Sequence, residues 1–239
     1  MNRDLARRAS AEAVGTALLV AIVVGSGIYA QRLSPGNIGL ELLENAIATG
    51  AGLVALILAF GNVSGAHFNP VVTFANRLLG GITTRDGCAY VIAQTVGACV
   101  GAITANLMFS LPAVNIAEHE RSSGALWLSE LIATFGLLIV ILGVVRSGRA
   151  SAAPFAVGAY ITSAYWFTSS TSFANPAVTI GRTLSNTFAG IKPSSVPMFI
   201  VMQFAGAVIA VAASRFWYPE PGSGPRSLRQ RFRPTAHDP

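Results

Sequence analysis

Two Asn-Pro pairs, each followed by an Ala or Val, a Val and a Thr, are the residues whose types and spacing could do chemistry in this chain. They occur in "HFNPVVTFANR", which begins at His67, and in "SFANPAVTIGR", which begins at Ser172. Asn is a favoured N-cap because its side-chain oxygen accepts an N–H group of the first helical turn. Pro is favoured at the next position because the start of a helix does not use the missing N–H. We therefore expect Asn69-Pro70 and Asn175-Pro176 each to begin a short helix.

This capping chemistry favours a site for neutral polar molecules. A capping Asn uses its side-chain oxygen and leaves its NH₂ donors free. If both helices begin at the same depth, two amide groups and two positive helix ends face one point. Such a point attracts oxygen lone pairs and repels cations, including hydronium. One Asn-Pro pair alone could mark a simple turn, but two equivalent copies disfavour that interpretation.

The composition is that of a membrane protein. Of the 239 residues, 52% are hydrophobic and 11% are charged, whereas about 25% are charged in an ordinary soluble domain. The three histidines, His67, His119 and His237, are not spaced as a metal site or a catalytic triad. We therefore predict no cofactor, no metal and no enzymatic activity.

Six apolar stretches could cross a bilayer. A spanning helix needs about 20 mainly apolar residues, since each residue rises about 1.5 Å and the hydrocarbon core is about 30 Å thick. The predicted spans are Ala11–Ala30, Leu42–Phe60, Ala89–Phe109, Leu126–Val145, Ala152–Phe167 and Val196–Phe216. The fifth is the shortest. The two segments that carry the Asn-Pro pairs are too polar to span and are predicted to be re-entrant.

The basic residues orient these spans, because Lys and Arg accumulate on the cytoplasmic side of short loops. With the N-terminus inside, four of the 16 Lys and Arg residues fall in outer segments, namely Arg32, Arg121, Arg182 and Lys192. The other twelve fall in inner segments. This predicts a multi-pass protein of the plasma (inner) membrane with both termini in the cytoplasm. The net charge of +6 is then a topology signal, and no nucleic-acid partner is needed to explain it.

The two halves of the chain repeat each other. The stretch "AEAVGTALLV" matches "SELIATFGLL", which aligns Glu12 with Glu130, and an Asn-Pro motif follows in each half. Because each half carries three spans, the second half lies upside down relative to the first. We expect an all-α membrane protein with six transmembrane helices and two re-entrant half-helices. Residues 1–217 would form one channel domain, with repeats at about 10–110 and 126–217, and residues 218–239 a disordered cytoplasmic tail.

These motifs resemble those of the aquaporin and glycerol-facilitator family, the major intrinsic proteins. The matching segments are "AEAVGT", "SGAHFNPVVT", "YVIAQTVGA", "SELIATF" and "SFANPAVT", which together extend over nearly the whole chain. The resemblance implies a homotetramer in the lipid bilayer with a pore through each subunit. It places the pore centre at Asn69, Pro70, Val71, Asn175, Pro176 and Ala177.

The resemblance also implies a selectivity filter on the outer side of the Asn-Pro centre. Counting from the two Asn residues places its four positions on Thr49, Ser163, Ser172 and Val178. Water-selective members have an aromatic residue, a His and an Arg there, and glycerol-type members keep the Arg and use aromatics. This filter would have no Arg, no His and no aromatic. It would be wider, and it would lack the five donors and the permanent charge of Arg.

Small neutral solutes are therefore the predicted cargo. The three hydroxyl side chains of this filter can donate and accept hydrogen bonds, which suits glycerol, urea and metalloid acids such as arsenite, with some water. The segment around Val178 most resembles bacterial aquaporins found with arsenic-resistance genes, and that comparison adds methylated arsenicals. An ordinary water-conducting aquaporin is the alternative.

Four further residues are expected to support the pore. Glu12 and Glu130 are intramembrane carboxylates that would accept backbone N–H groups of the re-entrant loops. His67 would line or brace the inner approach to the centre. Arg182 lies about one helical turn beyond Val178, and it either charges the outer vestibule or extends to lipid headgroups or an outer-loop acid. An ion-coupled secondary transporter is disfavoured, because the spans offer almost no other carboxylates to couple ions.

Overall fold

Eight α-helices make up most of the chain in the computed structural model, which describes residues 3–218. They are α1 (Arg3–Leu33), α2 (Ile38–Ser64), α3 (Pro70–Leu78), α4 (Thr84–Met108), α5 (Gly124–Arg146), α6 (Ala153–Phe167), α7 (Pro176–Gly181) and α8 (Val196–Trp217). Three short 3-10 helices occupy Ala150–Ala152, Arg182–Leu184 and Pro193–Ser195. The described residues contain no β-strand, only an isolated parallel bridge between Asn115 and Ser185. The tail predicted at 218–239 lies, beyond Tyr218, outside the described residues.

The six long helices correspond to the predicted spans, and α3 and α7 to the predicted re-entrant half-helices. Five of the long helices, all except α6, are long and apolar enough to cross a membrane. Helix α6 has 15 residues, which give about 22 Å of helix, and it corresponds to the short fifth span. The predicted all-α architecture is confirmed.

The helices extend beyond the apolar stretches because polar turns at their ends are also helical. Helix α1 begins at Arg3 rather than near Ala11, and in its first turns Asp4 accepts hydrogen bonds from Arg7 and Arg8 at 2.8 and 2.7 Å. Pairs at these spacings stabilise an exposed helical turn. Hydropathy therefore locates the part of each helix that lies in lipid and underestimates its length.

Small residues allow close helix crossings within each half. A side chain at Gly97 or Gly101 of α4 would collide with the backbone of α1 at Ala13 and Ala17. Gly206 of α8 contacts the backbone of α5 in the same way. Because lipid supplies no hydrophobic driving force between helices, such close van der Waals packing holds the bundle together.

The two halves meet where α2 crosses α6. A Cβ atom added at Gly50 would lie 2.9 Å from the carbonyl oxygen of Gly158, and one added at Gly158 would lie 2.7 Å from that of Gly50. Since α2 and α6 are the same element of the two repeats, this reciprocal contact lies on the pseudo-twofold axis of an inverted repeat.

The surface of the bundle is apolar, and its interior contains polar groups. Large apolar side chains are more than 40% exposed along several helices, for example Leu18, Ile47, Ile92, Phe155 and Val201. In contrast, Glu12, Gln94, Glu130 and Gln203 are fully buried. The apolar surface suits lipid or a neighbouring subunit, and the buried polar groups surround the place where the half-helices meet.

Candidate pore and its outer ring

Asn69 and Asn175 cap the two half-helices, at the positions expected from the Asn-Pro chemistry. The Asn69 side-chain oxygen accepts from the backbone N–H of Val71 at 3.0 Å. The Asn175 oxygen accepts from those of Ala177 and Val178 at 3.0 and 3.2 Å. A proline fills the first helical position in both half-helices, so each begins where its local sequence dictates.

The caps also join the two halves to each other. Asn69 Nδ2 donates to the carbonyl oxygen of Ala174, and Asn175 Nδ2 donates to that of Phe68, both at 2.8 Å. An amide nitrogen carries two hydrogens, so one N–H of each Asn remains for a molecule in the pore. The sequence predicted that both N–H groups would be free, and the structure uses one of them in this crossed pairing.

Glu12 and Glu130 hold the loops that lead into the caps. Each accepts hydrogen bonds from the backbone N–H groups of the two residues that precede a capping Asn, at 3.0 and 2.7 Å for Glu12 and at 3.0 and 2.9 Å for Glu130. A glutamine adds a further bond to each, Gln94 at 2.8 Å and Gln203 at 2.6 Å. Since buried carboxylates need such donors, this arrangement supports a structural role.

The braced loops contain strained backbone. Ala66 and Phe68 in the first loop, and Ser172 and Ala174 in the second, have φ angles between 47° and 54°. Non-glycine residues rarely adopt positive φ, and each such residue costs about 1–3 kcal/mol. The bonds to the buried carboxylates hold the loops in this conformation.

A cavity of about 750 Å³ passes both caps. We call the face that carries the chain's N-terminus the inner face, following the orientation predicted from the arginines. The cavity is lined at its inner end by residues such as Leu79, Val145 and Ser151, and near the caps by His67, Asn69, Val72 and Asn175. Its outer end is lined by Thr49, Tyr165, Ser172, Val178 and Arg182, which we call the outer ring.

Three of the four predicted filter residues belong to the outer ring. Thr49, Ser172 and Val178 are at most 5% exposed and line the cavity. The Thr49 hydroxyl lies 3.2 Å from the hydroxyl of Tyr165. The Ser172 hydroxyl is buried and has no hydrogen-bond partner within the described chain. Buried polar groups are normally paired, so this unpaired hydroxyl is an exception among the residues that line the cavity.

Ser163 does not belong to the outer ring, which corrects the prediction. Its side chain is exposed on α6, and its hydroxyl donates to the carbonyl of Tyr160 at 2.8 Å. The count back from Asn175 assumed a connection of fixed length. In the structure α6 ends at Phe167, and Tyr165 takes the position that faces the cavity. Two residues along a helix correspond to a rotation of about 200°, so this shift reverses which side chain faces inward.

Arg182 lines the cavity, which fits the alternative in which it supplies charge at the outer vestibule. Its side chain is 2% exposed, and its Nε donates to the carbonyl oxygen of Ala189. The Cζ atom lies 3.4 Å from the centroid of the Phe173 ring. These contacts hold the guanidinium inside the protein, so the alternative in which it extends to lipid headgroups is wrong. Val178 leaves the expected position without Arg, and a residue one turn further supplies the charge.

His67 lines the cavity on the inner side of the caps. Its Nδ1 lies 3.0 Å from the hydroxyl of Thr73, and its Nε2 lies 3.3 Å from Nδ2 of Asn76. Both ring nitrogens therefore have protein partners. The imidazole is held in place by neutral groups at this approach to the centre.

Sequence reasoning missed three residues at the outer end: Tyr165, Phe173 and Arg121. Arg121 lies in the connection between α4 and α5, is 6% exposed, and has its Cζ 5.1 Å from the Phe173 ring centroid. Tyr165 follows Ile161 by four residues, and both line the cavity from one face of α6, but the sequence pattern alone does not identify that face. No local pattern signals Arg121.

Within residues 3–218, no cluster of His, Cys, Asp and Glu is arranged to hold a metal ion.

The inverted bundle with two facing Asn-Pro half-helices agrees with the comparisons to known proteins. A sequence model described as "Major intrinsic protein" matches residues 2–173. The chain belongs to the major intrinsic protein family. Since this is a family of membrane channels, the chain is a multi-pass membrane channel protein, consistent with its five long apolar helices.

Named relatives cover most of this channel's length. It is 52% identical over 218 residues to aquaglyceroporin AqpS of Rhizobium meliloti (strain 1021), and the alignment covers 91% of this chain and 92% of that relative. It is 30% identical over 238 residues to the probable aquaporin AqpM of Archaeoglobus fulgidus, covering 88% and 96%. The solved structure of the aquaglyceroporin from Plasmodium falciparum has the same fold, with a TM-score of 0.69, 23% identity, and coverage of 90% of this chain and 96% of that one.

Proposed function

We propose that this channel conducts small neutral solutes passively, with glycerol and similar polyhydroxylated molecules as its main cargo. The observation that carries the proposal is the outer ring. It combines the unpartnered hydroxyl of Ser172 and the guanidinium of Arg182 with the apolar side chain of Val178. A ring with hydrogen-bonding groups beside an apolar surface suits a molecule whose hydroxyls and carbon chain lie on different sides.

The Asn pair supports the same conclusion further along the path. One N–H of Asn69 and one of Asn175 remain available to a hydroxyl oxygen, and two helix ends contribute partial positive charge there. A neutral solute with acceptor oxygens gains hydrogen bonds at the outer ring and at the Asn pair, while a cation meets positive potential at both places. The relative at 52% identity is named an aquaglyceroporin, which supports glycerol as the first solute to test.

Urea and metalloid acids such as arsenite are further proposed cargo, because they are small, neutral at pH 7 and able to hydrogen-bond. Since the ring contains Tyr165 and Arg182, it is more crowded than the filter predicted from sequence. Methylated arsenicals carry a methyl group in place of a hydroxyl and form fewer hydrogen bonds, so we expect them to pass more slowly than arsenite. Water shares the path. The resemblance to aquaporins supports a homotetramer in the inner membrane with both termini in the cytoplasm.

Stopped-flow measurements on proteoliposomes of the full chain test this proposal. Glycerol, urea, arsenite and water fluxes are measured against protein-free vesicles, with solute gradients of increasing size. A passive channel gives flux that is linear in the gradient and unchanged by ionophores. Saturable flux that collapses with an ionophore would identify an ion-coupled transporter, and water flux without glycerol flux would identify an ordinary aquaporin.

A matched pair of variants shows whether flux passes through the described cavity. Val178→Trp fills the outer ring and should abolish glycerol flux, because residue 178 lines the cavity. Val201→Trp places the same side chain on the 56% exposed surface of α8 and should leave flux unchanged. Equal fluxes in the two variants would show that solute takes another route.

A further inference from the structure

Two buried arginines share one aromatic ring at the outer end of the cavity. The Cζ atoms of Arg182 and Arg121 lie 3.4 and 5.1 Å from the centroid of Phe173. The salt bridges found within residues 3–218 include neither arginine. Burial, and then the two arginines, lower the pKa of nearby His119, which favours the neutral form of its imidazole. The positive charge here therefore comes from the guanidinium groups, held by carbonyls and an aromatic face.

Three consecutive carbonyl groups separate the roles of the two arginines. Arg121 donates to the carbonyl oxygens of Phe188 and Gly190, through Nε at 3.0 Å to Gly190 and through Nη2 at 3.4 Å to Phe188. The carbonyl oxygen between them, that of Ala189, accepts from Nε of Arg182. We call Arg121 with its two carbonyl partners the arginine clamp. The clamp fixes the backbone on either side of the one carbonyl that orients Arg182.

The clamp is itself anchored to the rest of the fold. The backbone N–H of Arg121 donates to the hydroxyl of Ser195 at 3.0 Å, at the base of α8. Gly190 has no room for a side chain, since a Cβ atom there would lie 2.5 Å from the carbonyl oxygen of Ser185 and 3.0 Å from the Cβ of Ala117. The segment that presents the Ala189 carbonyl is therefore held from both sides.

We propose that Arg121 is a positioning residue that sets solute selection by holding Arg182 in the outer ring. Arg182 contacts the solute, while Arg121 acts through the Ala189 carbonyl and the shared Phe173 ring. Because a guanidinium has five N–H groups in a fixed fork, its usefulness depends on orientation as well as charge. A well-oriented fork favours neutral solutes with two adjacent oxygens, such as vicinal diols, over solutes with one, and its charge repels cations. This inference rests on the proposed channel function.

Arg121→Lys tests the proposal, because Lys keeps the charge and loses the planar fork that reaches two carbonyls. We expect the ratio of ethylene glycol flux to formamide flux, measured in the same proteoliposomes, to fall by about threefold. This change corresponds to about 0.65 kcal/mol. Arg182→Val should lower the ratio further. Arg32→Lys is the matched control, since Arg32 also donates to a carbonyl at 2.7 Å and lies 5.1 Å from an aromatic ring, but at the exposed end of α1.

A double-mutant cycle separates positioning from a general structural role. If Arg121 acts only through Arg182, adding Arg121→Lys to Arg182→Val changes the flux ratio no further. If Arg121→Lys changes the flux ratio equally in the wild type and in Arg182→Val, the proposal is overturned. It is also overturned if Arg182→Val shifts the flux ratio while Arg121→Lys leaves it at the wild-type value. Should Arg121→Lys fail to fold, Ser195→Ala, which removes only the backbone anchor of Arg121, is tested against the same criteria. Absence of solute flux in the wild type would instead refute the proposed function.

Discussion

At the inner side of the caps His67 lies against Asn76, and at the corresponding place on the outer side Phe173 lies against Arg182. In both half-helices the aromatic residue precedes the capping Asn by two positions, and its partner follows by seven. The inner pair is joined by a hydrogen bond between neutral groups, and the outer pair by a cation over a ring. The two repeats thus present different chemistry at the same two positions.

The surrounding scaffold differs much less between the two ends. Both approaches have a fully buried Glu bonded to two backbone N–H groups and a Gln, and both contain non-glycine residues with positive φ. In both, a hydroxyl residue after the cap, Thr73 or Thr179, accepts from that Gln at 3.0 Å. The two repeats share the geometry of their loops, while the side chains that face the cavity differ and decide which end carries charge.

The largest expected effect concerns the shared scaffold. Replacing Glu130 with Ala leaves several buried donors without a partner, and each such donor costs about 1–3 kcal/mol. We expect Glu130→Ala and Glu12→Ala each to lower the free energy of unfolding by about 3–5 kcal/mol. The two variants should lower the thermal unfolding midpoint of the purified protein by amounts similar to each other. Glu118→Ala, at an exposed loop position, is the control. Strongly unequal losses would show that the two braces are not equivalent.

The next effect concerns the charge difference. Arg182→Asn gives the outer end the residue found at Asn76, and removes a positive charge from the cavity wall. A unit charge about 8 Å from a permeating cation contributes about 2 kcal/mol at an effective dielectric constant of about 20, so cation leak should rise about 30-fold. A potential-sensitive dye in proteoliposomes measures this leak. Adding Asn76→Arg should restore part of the barrier at the inner end, and no rise in Arg182→Asn would refute the electrostatic role.

A smaller effect is expected from Val178→Arg. Val72 and Val178 occupy equivalent positions after the two caps, and both line the cavity. A second guanidinium beside Arg182 should lower glycerol flux about tenfold, which corresponds to about 1.4 kcal/mol of added barrier, and should reduce water flux less. Val72→Arg should affect the ratio of glycerol to water flux less than Val178→Arg does. An unchanged ratio of glycerol to water flux in Val178→Arg would show that Val178 does not line the outer ring.

The smallest effect separates Ser163 from Tyr165. Ser163→Ala removes an exposed hydroxyl that bonds to its own helix and should leave flux unchanged. Tyr165→Phe removes the hydroxyl that lies 3.2 Å from Thr49, and should alter glycerol flux by about two- to fivefold, as expected for one hydrogen bond of about 0.5–1 kcal/mol. Stopped-flow assays at matched protein content measure both. A larger effect from Ser163→Ala would favour the position predicted by counting.

The features predictable from the sequence are those fixed by local chemistry or by repetition. Helices α3 and α7 begin at Pro70 and Pro176, because the capping Asn and the Pro act within one turn. The six long helices follow from the apolar stretches, and Glu12 and Glu130 follow from the alignment of the halves. These predictions needed no knowledge of how distant segments pack.

The position of Ser163, which was mispredicted, and that of Arg182, which was left open, both depend on contacts between distant segments. Ser163 was placed by counting across a connection whose length the count assumed, and Tyr165 takes its place because α6 ends at Phe167. Arg182 is buried because the Ala189 carbonyl and the Phe173 ring hold it there. Such contacts leave no periodic pattern in the sequence, which therefore left two positions open for Arg182.

The crossed pairing of the two caps has a consequence for biosynthesis. Asn175 donates to the carbonyl of Phe68, which lies 107 residues earlier in the chain. At translation rates of about 5–20 residues per second, the first half waits about 5–20 seconds for its partner to be made. During that interval Asn69 and the Phe68 carbonyl lack their final partners in the membrane. The first half-helix therefore reaches its final environment only after the second has been inserted.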